Sequence, residues 1–254
     1  MNNYLLRISY NGEKFHGVVP QKNVKTVLNE IINFYKIDKY RYSIVSRTDK
    51  GVSAKENYLV LQTEKEIDFT TFFHNDIKIL NAFKLKEYIN IRKFSTGKRY
   101  IYRLPKSLFE KFYRPKWIIF ENKKIEISSI EDKFDIKKYI EASKYFIGEK
   151  SFHNFAKGKV KNPICKIIKF EIYEEEDFYI NIIEGNRFLY EMIRRIITFL
   201  ISVGKNLYPL DKINLVFLGN LEPKPFPADS KYLLLEKVYL DWKKLYRYIE
   251  KIII

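Results

Sequence analysis

The run Ser46-Arg47-Thr48-Asp49-Lys50-Gly51-Val52-Ser53-Ala54 places one carboxylate between two cations, bounded by the apolar stretches Tyr40 to Val45 and Tyr58 to Gln62. A carboxylate on a loop at a strand end, kept ionised by Arg47 and Lys50, is suited to attack a bound substrate. The same residues also suit an ordinary turn, because Gly two positions after Asp favours one and Thr and Ser bond locally to backbone. Tyr100, in Lys98-Arg99-Tyr100-Ile101-Tyr102-Arg103, shares a strand face with Tyr102 and Leu104, which fits core packing. Arg194 and Arg195 flank the apolar face of a helical stretch, where both suit solvent or a phosphate; periodicity does not separate them. His16, His74 and His153 stand without a Cys or carboxylate at ligand spacing, and Cys165 is single, so no structural metal is expected.

The elements that position these residues are legible in the hydropathy pattern. Tyr4, Leu6, Ile8 and Tyr10 alternate with Leu5, Arg7 and Ser9, predicting a strand with one buried face. From Val24, apolar residues recur at helical spacing through Tyr35. Strands are predicted at Tyr40 to Val45, Tyr58 to Gln62, Tyr88 to Phe94 and Arg99 to Leu104, with a short helical stretch near Phe69 to Phe73. Pro105 and the charged residues to Pro115 suggest a connection, followed by a strand at Trp117 to Phe120 and a polar segment to Lys133. The second half predicts a helix at Asp135 to Phe146, strands at Lys166 to Tyr173 and Phe178 to Ile183, a helix at Phe188 to Val203 and a strand at Tyr232 to Tyr239. The expected division is therefore residues 1–105 and 106–254, both α+β with mainly antiparallel strands.

The chain has 254 residues, 46% of them hydrophobic, which is ample for packed cores and excludes a disordered or low-complexity protein. Lys and Arg outnumber Asp and Glu by 47 to 31, a formal charge of +16 that points to a large anionic partner such as nucleic acid. A Lys- and Ile-rich background from a thermophile or an AT-rich genome accounts for the same excess. No stretch is apolar and long enough to span a bilayer and the N-terminus lacks a signal-peptide pattern, so a soluble, cytoplasmic protein is expected.

Ser46 to Ala54 resembles the signature G-R-T-D-K-G-V-S-A of archaeal and eukaryotic members of the TruA family of tRNA pseudouridine synthases, departing only at Ser46. Tyr10-Asn11-Gly12 with Phe15, Gly17 and Gln21 is similar to that family's opening Y-D-G-x-x-F-x-G-x-x-x-Q. Lys98 to Arg103 resembles its R-x-Y-x-Y strand, and Gly185 to Arg194 its A-N-x-F-L-x-x-M-V-R helix. The resemblance runs from about Tyr4 to Tyr239. It breaks at Ser151, where an Asp is usual, at Cys165, where an Arg is usual, and at Pro227 to Tyr232, a loose match to A-P-P-x-G-L.

The resemblance implies two ferredoxin-like (RRM-like) halves whose sheets meet at a central basic cleft. It implies isomerisation of uridine to pseudouridine in the tRNA anticodon arm, at positions 38 to 40, by a homodimer without a cofactor. Asp49 is then the nucleophile and Arg194 its ion-pair partner. Tyr100 packs on the everted base and Arg47 serves as wedge or phosphate anchor. Lys50, Arg92, Lys98 and Arg99 are expected to bind RNA. Two alternatives share the same scaffold: a synthase for other tRNA or small RNA sites, and a non-catalytic RNA-binding or RNA-folding protein. A pure binder has no use for a carboxylate facing phosphates.

Overall fold

The structure is a computed structural model that describes residues 1–107, 117–120, 123–126 and 134–254. The connection expected up to Pro115 and the polar segment to Lys133 lie largely outside these residues. In chain order the elements are β1 (Asn2–Tyr10), α1 (Val27–Phe34), β2 (Tyr40–Ile44), β3 (Ser53–Thr63), β4 (Ile77–Leu85), β5 (Ser95–Pro105), β6 (Trp117–Phe120) and β7 (Lys123–Glu126). Then follow α2 (Ile136–Lys144), β8 (Gly148–Ser151), β9 (Ile164–Glu174), β10 (Phe178–Gly185), α3 (Met192–Gly204), β11 (Leu221–Glu222), β12 (Leu233–Leu240), α4 (Trp242–Leu245) and β13 (Ile249–Ile252). The fold is mixed α+β with mainly antiparallel pairing, as expected.

The chain forms two compact units, one of Met1–Tyr100 with Ser230–Ile254, the other of Ile101–Asp229. The division expected at 105 kept the C-terminal segment in the second half. In the structure that segment returns to the first unit, where β12 pairs in parallel with Ser53 and Ala54 of β3 and β13 pairs antiparallel with β4. Pairing across so long a sequence separation leaves no trace in local periodicity.

In the first unit the strand order is β13, β4, β1, β3, β12, β5, with β2 on β3. Alternation predicts one buried face for β1, yet Leu5 is as buried as Tyr4 and Leu6. The reason is coverage on both sides. Tyr4 stands on Phe69, which meets Tyr35 at the end of α1. On the other side Trp242 of α4 packs edge-on against Tyr58 and tilted against Phe83, whose register partner is Leu5. Thr26 caps α1 through its hydroxyl, so the helix starts three residues after Val24. The strand expected at Tyr88 to Phe94 is instead a single 3₁₀ turn, Ile91–Phe94, because the Asn90 side chain takes the Arg92 N–H and stops extension. The strand Ile77–Leu85 was not anticipated.

In the second unit β5 is followed by β10, β9 and β8, with β10–β9 and β9–β8 antiparallel. Tyr139 of α2 is fully buried and donates its hydroxyl to Asn181 of β10 at 2.7 Å. Phe146, Phe152, Phe155, Phe199 and Phe217 form an edge-to-face aromatic core between the helices and the loops that follow them. α3 begins four residues later than the expected Phe188, since Glu191 adopts a left-handed conformation (φ 62°) that interrupts helical continuity.

Candidate active site

Asp49 lies on the loop between β2 and β3, and buried side chains hold that loop. Asn57, 0% exposed, accepts from the N–H groups of Ser46 (3.2 Å) and Tyr58 (2.9 Å). It donates to the Ser46 carbonyl (2.8 Å) and the Tyr10 hydroxyl (3.3 Å). These four bonds use its whole amide capacity. Tyr10 also meets Thr48 Oγ1 at 2.7 Å, and Ser46 Oγ meets the Tyr100 hydroxyl at 2.7 Å. The residues preceding Asp49 are thereby tied to β1, β3 and β5. Replacing Asn57 by Leu strands the Ser46 backbone groups and is expected to destabilise the protein by about 3 kcal/mol, read as a lower urea midpoint.

The segment before α1 clamps the loop from the other side. Val18 N–H donates to the Thr48 carbonyl at 3.3 Å, Gly51 N–H to Phe15 at 3.2 Å, and Gly12 N–H to Ser53 Oγ at 2.9 Å. The glycines are required by proximity: a Cβ on Gly12 would lie 2.0 Å from the Val52 carbonyl oxygen, and one on Gly17 (φ 94°) 2.7 Å from that of Thr48. Gly12→Ala must therefore push the loop away. An ångström of misplacement costs about 100-fold in turnover, so the expected result is a large loss of kcat with an unchanged circular dichroism spectrum.

Tyr100 is 7% exposed. Burial drives its hydroxyl far above the usual phenol range; the bond from Ser46 opposes this, and the nearby Tyr10 and Asp49 add to it. The Asp49 carboxylate is thus close enough to Tyr100 to act on it electrostatically, and the phenol stays neutral. Arg47 and Lys50 are exposed on the same loop. Arg92 is exposed on the 3₁₀ turn after Asn90, with no described contact to the loop. Lys98 is half-buried on β5. Strand alternation sends Arg99 to the face opposite Tyr100, where it meets Glu236 at 3.7 Å and lies 6.0 Å from the Tyr239 ring centroid.

In the second unit the structure separates the two arginines that periodicity could not. Arg195 is bound to Glu191 through Nε (3.1 Å) and NH2 (2.6 Å), and to the Pro225 carbonyl at 2.6 Å. Arg194 donates through Nε to the Ala228 carbonyl, while Ala228 N–H returns a bond to the Arg194 carbonyl at 3.1 Å. The divergent segment Pro227 to Tyr232 therefore orients Arg194, and it also accepts the Tyr102 hydroxyl at the Asp229 carbonyl, 3.1 Å away. Ser151 bonds His153 Nδ1 at 2.9 Å, with Nε2 of that ring on the Gly219 carbonyl at 2.8 Å. Cys165 is fully buried on β9; burial raises its thiol pKa, with Arg187 pulling the other way. His74, read as isolated, meets Glu30 at 3.3 Å.

Burial pushes the Glu191 carboxyl up, yet hydrogen bonds from Arg195 and Lys157 outweigh it and leave the group below the usual range. The native state thus holds this proton less tightly than the unfolded chain. Its contribution to stability is complete above the unfolded glutamate pKa of about 4.3 and is lost as pH falls through the lower native value. Urea melts should show wild type ahead of Glu191→Gln at pH 7, with the gap closing in acid.

A family model described as tRNA pseudouridine synthase matches residues 142–239. The tRNA pseudouridine synthase A of Nanoarchaeum equitans is 42% identical over 76% of this chain and 88% of its own length. That of Methanosphaera stadtmanae is 31% identical over 84% and 74%, respectively. That of Staphylococcus aureus strain JH1 is 28% identical over 95% and 92%. With this identity over most of both chains, and with the loop and helix that carry the resemblance built as described, the chain belongs to the TruA family of tRNA pseudouridine synthases.

Proposed function

We propose that the protein isomerises uridine to pseudouridine in tRNA, with Asp49 as the essential carboxylate and uridines 38 to 40 of the anticodon arm as targets. The observation that supports this best is the Asp49 loop itself, locked by Asn57, Tyr10 and Ser46 beside a buried, neutral Tyr100. A carboxylate on a loop tied down at its neighbours, within electrostatic reach of a tyrosine, suits attack on an everted pyrimidine. The reaction breaks N1–C1′ and joins C5 to C1′; N1 gains a proton and C5 gives one up, so no redox partner or donor is consumed. A cofactor is accordingly not needed.

In this reading Arg194, aimed by the Ala228 carbonyl, pairs with Asp49 and keeps it ionised. Tyr100 packs on the base, Arg47 fills the space it vacates or anchors its phosphate, and Lys50, Arg92, Lys98 and Arg99 contact RNA. The protein acts in the cytoplasm as a homodimer; light scattering at working concentration tests the dimer. No helix is long and apolar enough to cross a membrane among the described residues.

The deciding experiment incubates purified protein with unmodified tRNA transcripts and no additive, then maps pseudouridine by position. Product at 38 to 40 is the expected result. Absence of pseudouridine sinks the activity, and product elsewhere sinks the site assignment.

A further inference from the structure

We infer that two loops of the second unit, 157–166 and 186–190, form a single RNA-binding surface on which Tyr190, flanked by Lys157, stacks a base while Lys159, Lys161, Lys166 and Arg187 take backbone phosphates. This rests on RNA being the substrate and adds where it is held.

Backbone bonds join the loops: Lys157 N–H donates to the Tyr190 carbonyl at 3.1 Å and Asn186 N–H to that of Lys166 at 3.0 Å. Lys166 N–H donates to Asn186 Oδ1 at 2.9 Å. All five cations are exposed, and neither segment contains an Asp or Glu. Lys159, Lys161, Lys166 and Arg187 make no ion pair among the described residues. The nearest carboxylate along the chain, Glu191, is buried and already paired with Arg195 and Lys157.

Tyr190 is 53% exposed, and Lys157 Nζ lies 5.0 Å from its ring centroid. An exposed aromatic beside unneutralised cations combines the two features that sequence-tolerant single-strand binding uses.

The opposite end of the β9–β10 hairpin has the reverse composition, with Glu174, Glu175, Glu176 and Asp177 in succession. A lysine-rich background would not sort charge along one hairpin in this way. The gradient draws a polyanion to the end from which the chain enters α3 and Arg194, and repels it from the other.

The test measures binding of an unmodified tRNA transcript across a salt series, with single-turnover pseudouridine formation at saturating protein. For the double variant Lys159→Glu and Lys161→Glu, affinity at 0.1 M salt should fall at least about 10-fold and the slope of log K against log salt should become shallower by about one to two. The saturated rate should remain within about two-fold. Tyr190→Ala should weaken binding by about 5- to 100-fold at every salt concentration, and Tyr190→Phe should restore it. A charge-matched control, Lys243→Glu with Lys251→Glu, should bind like wild type.

Wild-type affinity and slope in the lysine pair, or equal weakening in the control, overturns the surface. Full affinity for Tyr190→Ala overturns the stacking role. If wild type makes pseudouridine but the variants bind normally, this inference fails alone. If patch-dependent binding occurs without product, the catalytic reading fails and the surface stands.

Discussion

Asp49→Asn is expected to abolish pseudouridine formation, by at least about 1,000-fold in single turnover, without loss of fold or of tRNA affinity. The substitution is isosteric, and the loop that carries it is held by its neighbours, through Asn57 to Ser46, Tyr10 to Thr48 and Phe15 to Gly51. Unfolding midpoints should therefore be unchanged. Affinity should hold or rise, because a negative charge facing phosphates has been removed. Full separation of binding from chemistry distinguishes a carboxylate that reacts from one that only shapes a turn. A variant that still makes product would remove Asp49 from the mechanism.

Arg194→Lys should lower kcat by about 100-fold while KM changes no more than about three-fold. Lysine keeps the charge but has no Nε–H to donate to the Ala228 carbonyl and no planar fork to hold a carboxylate. An arginine that merely contacted phosphate would tolerate this exchange, with any loss appearing in KM. The parallel variant Arg195→Lys offers the contrast: its guanidinium is engaged with Glu191 and Pro225, so the deficit should appear in stability rather than turnover. Reversal of these two outcomes would mean that the roles of the arginines had been exchanged.

Much of the local structure was legible beforehand. The helix after Asp135, the strands at Ile164–Glu174 and Phe178–Gly185 and the loop between β2 and β3 all fall where periodicity and turn residues put them. The elements depart from propensity where local detail overrides it: the Asn90 side chain takes the Arg92 N–H at the 3₁₀ turn, and the left-handed backbone of Glu191 delays the start of α3. Adjacency in sequence does not place Arg99 beside Lys98. Strand alternation and the Glu236 contact set it on the far face of β5 from Tyr100.

Asn57 is not legible as a site residue in the sequence, although its four hydrogen bonds hold the loop. Nothing marks an Asn in an apolar strand as a scaffold until its partners at positions 10 and 46 are seen around it. The loops 157–166 and 186–190 are likewise ordinary runs in the sequence until the β9–β10 pairing brings them together.

Residue order alone was enough for the chemistry on offer, a carboxylate between cations, and for the periods of the strands and helices around it, because both depend on neighbours a few positions apart. Which partners each arginine of an adjacent pair takes, which glycines leave no room for a methyl group, and which unit receives the C-terminal strands were decided only in three dimensions. Those outcomes depend on contacts between distant segments, as where Leu234 and Leu235 run beside Ser53 and Ala54, and such contacts exist only once the chain has closed its long loops.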